Sequence, residues 1–63
     1  TVTWINMDNV AHTVTNDALL WDSGILEPGQ SFSYVFTTVG AFTYYDASNP
    51  SIRGEVDVTV GGP

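Results

Sequence analysis

Cysteine and lysine are both absent from the 63-residue chain, and the one basic residue is Arg53. Without cysteine there is no disulfide, no thiolate nucleophile and no zinc–thiolate site. Without a basic cluster the chain cannot grip nucleic-acid phosphates or an anionic membrane surface. Seven acidic residues against that single arginine give a net charge of −6. Such a surface keeps a small domain soluble and suits an extracellular, cell-surface or periplasmic setting. No apolar run approaches the ~20 residues of a membrane-spanning helix, so no membrane insertion is expected. The chain opens on Thr1 directly into strand-like sequence, which reads as a processed chain or a segment of a longer one.

The length allows one domain, residues 1–60, followed by a short tail, Gly61-Gly62-Pro63. A domain this small buries only about 60% of the surface its unfolded chain exposes. It normally leans on disulfides, a metal or a partner. With disulfides closed, a metal or a partner remains.

What is present is alternation. Val2 and Trp4 share a face in Thr1–Ile5, and Val10, His12 and Val14 share one in Val10–Thr15. Phe32, Tyr34 and Phe36 alternate with small or branched residues through Gln30–Thr37, as do Phe42, Tyr44 and Asp46 in Ala41–Asp46. Val56, Val58 and Val60 do the same in Gly54–Val60, and Gly24-Ile25-Leu26 fits a short strand. The turn chemistry lies between: Asn6 to Asn9, Pro28-Gly29, Val39-Gly40, and a loop over Ala47–Arg53 that contains Pro50. About six short strands at this spacing predict an all-β, antiparallel sandwich.

The order of these segments resembles the plastocyanin-like cupredoxins. Thr1-Val2-Thr3-Trp4-Ile5-Asn6 and Ala11-His12-Thr13-Val14 are similar to the strand pair that presents the family's first copper histidine. Asp22-Ser23-Gly24-Ile25-Leu26, Pro28-Gly29-Gln30-Ser31-Phe32 and Gly40-Ala41-Phe42-Thr43-Tyr44-Tyr45 follow in the family's order, as do Asn49-Pro50 and Arg53-Gly54-Glu55-Val56. The resemblance implies a Greek-key sandwich that lacks the family's opening strands.

It also implies a degenerate copper site. Where the family has cysteine, then histidine three residues on and methionine three further, this chain has Asp46, Asn49 and Ile52. His12 is the one matching ligand. A blue-copper centre needs a thiolate, two imidazoles and a weak thioether, so electron transfer through such a centre is excluded. His12, Asp46 and Asn49 remain as degenerate metal positions, able at most to hold copper or another divalent ion weakly; the simpler reading is no cofactor, with His12 hydrogen-bonded to a neighbour. Asp46, in phase with Phe42 and Tyr44, needs a partner if buried. The family geometry implies His12 for that role; Arg53 and open solvent are the alternatives.

Trp21, in an irregular segment, and Tyr45, on an outward position, are the candidate interaction aromatics. Asp8, Asp17, Asp22, Glu27 and Asp57 read as a solvated acidic surface. Nothing supplies an oxyanion hole for a Ser48–His12–Asp46 arrangement, so no enzyme activity is expected. The absent opening strands would leave an exposed edge, and exposed edges pair with other chains. The expected role is thus a non-catalytic structural or interaction module completed by protein, either another copy or a neighbouring strand or domain. The alternative is a metal-binding or electron-transfer relative with an altered site.

Overall fold

The computed structural model describes residues 1–60, and the tail read at Gly61-Gly62-Pro63 lies outside the described residues. The described residues are all-β, with five strands: β1 (Val2–Ile5), β2 (Thr15–Asn16), β3 (Ser31–Tyr34), β4 (Gly40–Asp46) and β5 (Asn49–Val58). β1 and β3 form one antiparallel pair, with Trp4 opposite Phe32 and Val2 opposite Tyr34. The second sheet runs in the order β2-β4-β5, also antiparallel.

The inward residues of the two sheets meet. Trp4 of β1 packs edge-on against Tyr44 of β4, with ring centroids 5.5 Å apart. Trp21 lies 4.7 Å from Tyr34 and 5.1 Å from Phe36, and Phe36 lies 5.3 Å from Phe42. Edge-on and offset contacts of this kind add roughly 0.5–1.5 kcal/mol each beyond simple burial. Val14, Trp21 and Leu26 are the buried centre, and the six aromatics packed around them are only half-buried. Among the described residues no large side chain is wholly withdrawn from solvent.

Three segments depart from the alternation pattern. Gly24-Ile25-Leu26, expected as a short strand, is reduced to one bridge at Leu26, which leaves five strands among the described residues where about six were expected. The strand expected over Val10–Thr15 contracts to β2 and a single bridge between His12 and Leu26. Side chains take over the ladder there. The Asn6 amide donates to the carbonyls of Val10 and Leu26, both at 2.8 Å, and Val14 N–H donates to Ser23 Oγ. Local side-chain bonds of this kind compete with regular pairing.

The loop expected over Ala47–Arg53 is mostly strand. Asp46 and Asn49 pair across the Ala47-Ser48 turn, and the register then slips so that Tyr45 faces Arg53. Pro50 is tolerated because β5 is an edge strand, where a missing N–H breaks no ladder bond.

Glycine is required at two places. Gly29, at φ 85°, completes the Pro28-Gly29 turn, which Gln30 N–H closes onto the Glu27 carbonyl at 2.9 Å. Gly54 sits directly opposite Tyr44. A Cβ there would come within 2.4 Å of the Tyr44 ring, so the bare backbone of β5 lets the ring lie across it. Gly54→Ala is expected to lower the unfolding free energy by about 1–3 kcal/mol, the usual cost of overpacking. Urea unfolding checks this, and an unchanged midpoint would contradict it.

Candidate functional site

At one end of the sandwich the last residue of β4 meets the segment before β2. Asp46, 3% exposed, is carried there by the alternation of β4, two residues beyond Tyr44. Its Oδ1 accepts the N–H groups of Thr13 at 3.0 Å and Ser48 at 2.9 Å. Its Oδ2 is hydrogen-bonded to His12 Nδ1. On the other side of the imidazole, Nε2 bonds Asp8 Oδ2 at 2.8 Å. The histidine thus bridges two carboxylates, one buried and one on the turn that follows β1.

Asn6 holds that turn in place. Besides its two amide donations, its Oδ1 accepts Asp8 N–H at 2.9 Å, and its backbone pairs with Gln30 and Gly29. Sequence reasoning placed Asn6 in a turn and Asp8 on a solvated surface, and it missed both roles. The available signal was the spacing of Asp8 and His12 around a tight turn.

The electrostatics follow from the geometry. The Asp46 bond, then the Asp8 bond, raises the His12 pKa above its ordinary 6.5. Burial pushes Asp46 upward most strongly, but the bonds from His12, Thr13 and Ser48 outweigh it and leave the carboxyl below 3.8. Asp8 is lowered as well, first by His12 and then by the Asn9 N–H. Linkage then fixes the pH window. Stability from His12 is full below 6.5 and fades as pH rises through the higher folded value. Stability from the two carboxyls is full above 3.8 and fades as pH falls through their lower folded values. The cluster therefore contributes most between those limits. An NMR titration should show His12 protonating above pH 6.5; a value at or below it would break the assignment.

The side chains of the other predicted site residues stand outside this cluster, that of Asn49 included although strand pairing sets it opposite Asp46. Asn49 is exposed, and its Oδ1 accepts the Ser51 hydroxyl. Arg53 is not the partner of Asp46: it pairs with Asp17 and covers the Tyr45 ring at 5.8 Å. Tyr45 is half-buried beneath it. Trp21, read as a contact aromatic, is a core residue at 5% exposure. The bridge between Thr15 and Asp22 and the bond from Asn16 N–H to the Trp21 carbonyl fold its segment back onto β2. That turns the indole inward, where its N–H has no partner among the described residues.

The donor set does not fit a copper centre. There is no sulfur ligand, and the one imidazole has both nitrogens in hydrogen bonds to carboxylates, so a metal would have to displace a proton and a partner. Among the described residues no three His, Cys, Asp or Glu side chains are grouped to hold an ion. No helix among them is long and apolar enough to cross a membrane. Searches against protein-family models, curated proteins and solved structures found no match to this chain.

Proposed function

We propose that this chain is a non-catalytic structural or interaction module of the extracellular space, cell surface or periplasm, built on a cupredoxin-like Greek-key sandwich whose copper site has become a salt-bridged cluster. The observation that carries the reading is the unfinished core. Six aromatic side chains that pack on the buried centre stay half-exposed. Both strands of the β1-β3 pair and the long strand β5 present an open edge among the described residues. A core of this kind gains most from a further strand or face supplied by protein outside the described residues.

Unfolding by urea over a wide range of chain concentration tests the proposal. A midpoint that rises with concentration supports completion by another copy. A low, concentration-independent midpoint supports completion by a different protein. A high midpoint independent of concentration contradicts both, because the sandwich would then be sufficient alone.

The family reading is supported by the order of the strand segments and by the meeting of His12 and Asp46. Asp46→Cys with Asn49→His and Ile52→Met should restore strong copper binding and a blue absorbance. A colourless variant that folds and ignores copper would count against the cupredoxin frame.

A further inference from the structure

The Asp8–His12–Asp46 cluster borders a pocket of about 340 Å³ whose walls are mostly apolar, with Trp4, Ile5, Met7 and Ile52 among them. Ile5 and Met7 are 57% and 88% exposed, so the apolar character continues outward onto the rim. Pockets near this size hold one small group, and a few polar atoms fix its orientation.

The polar groups at this pocket have little left to donate. A protonated His12 commits one N–H to each carboxylate. The Asn6 amide hydrogens go to Val10 and Leu26. The Thr13 hydroxyl is engaged with Thr15 and with Ala47 N–H. Acceptor capacity remains, since Asp8 Oδ2 and Asp46 Oδ2 each receive one bond and a carboxylate oxygen can take two. Two carboxylates and one imidazolium also leave the cluster with a net negative charge. The pocket therefore suits a cationic donor on a thin apolar stem.

We infer that it receives a lysine side chain presented by a different protein. A second copy of this chain cannot supply one: there is no lysine, and the one arginine is held by Asp17 over Tyr45. The net charge of −6 draws basic partners toward this surface. A lysine buries its methylene stem along apolar walls while its ammonium reaches polar groups, which matches a pocket with apolar sides and an acidic cluster. The exposed rim of Ile5 and Met7 gives the partner's neighbouring residues a contact that a free amine would not use. The inference rests on the interaction role proposed above and specifies what the partner presents.

A blocked Ala-Ala-Lys-Ala-Ala peptide, titrated into the isotopically labelled chain, tests this by NMR. Saturable shifts should centre on Trp4, Met7 and His12. The same peptide with norleucine for lysine should bind about tenfold more weakly, the loss of one charge-assisted hydrogen bond. Asp8→Asn should weaken the lysine peptide about fivefold, and Met7→Ala, on a rim side chain that the fold does not need, should weaken it about threefold. Equal binding of the norleucine peptide, no shifts at the pocket, or tighter binding of free hexylammonium than of the peptide would overturn the inference. A chain that is fully stable and monomeric yet binds the peptide would overturn completion by a partner strand and leave the pocket assignment intact. A chain that assembles but ignores the peptide would do the reverse.

Discussion

Asn16→Ala is expected to lower the unfolding free energy by about 3 kcal/mol, because three backbone groups lose their partner at once. Asn16 is 2% exposed. Its Nδ2 donates to the Thr43 carbonyl at 2.8 Å, and its Oδ1 accepts the N–H groups of Ala18 at 3.0 Å and Leu20 at 3.1 Å. The residue thereby ties the 16–22 turn to β4 and holds Trp21 beneath it. Leu19 takes a left-handed backbone, φ 58°, inside this turn, a conformation that non-glycine residues adopt at a cost. The bonds to Asn16 hold it there. A domain of 63 residues has a total stability of roughly 3–9 kcal/mol, so the variant should lose about a third or more of it. Circular dichroism and urea unfolding read this directly, and a loss below about 1 kcal/mol would mean that the turn is held by something else.

The second large effect is expected at Asp46. Asp46→Ala leaves the N–H groups of Thr13 and Ser48 without their acceptor and removes the buried partner of His12. The expected loss is about 2–3 kcal/mol, set mainly by the two backbone donors. His12 keeps Asp8, so its pKa should fall toward 6.5 without dropping far below it. Asp8→Ala provides the contrast. It removes a half-exposed carboxylate whose ion pair is screened by water, and its effect on stability should be small. If both variants cost the same, the buried end of the cluster is not what anchors β4 to the segment before β2.

The regular parts of the fold were legible because they rest on alternation. The inward faces of β1, β3, β4 and β5 could be read from Trp4, Phe32, Phe42 and Val56, each spaced by two from its neighbour on the same face. The turn at Pro28-Gly29 was legible for the same local reason. Asp46 could be recognised as inward-facing because it stands in phase with Phe42 and Tyr44. Asn6, Asn16 and Trp21 could not be read in this way. Asn6 and Asn16 act through side-chain bonds that reach backbone carbonyls distant in sequence, at Leu26 and Thr43, and Trp21 is turned inward by the backbone bonds of its own turn, all in segments with no period. Asp8 falls in the same class, since its partner is fixed by the turn that Asn6 builds. The Ala47–Arg53 stretch was misread because Pro50 signals a loop in an inner strand but not at a sheet edge. Arg53 could not be assigned by counting charge: the one arginine could serve any acid, and its pairing with Asp17 follows from the register that sets Arg53 opposite Tyr45 and Tyr45 opposite Thr15.

Native mass spectrometry of the purified protein reports metal content and assembly together, and so separates a module completed by protein from a metal carrier. A metal-free species is expected, with the chain either heavier than a single copy or found in complex with another protein. A single chain carrying one stoichiometric ion would contradict it, and would make the imidazole of His12 a ligand rather than the bridge between Asp8 and Asp46.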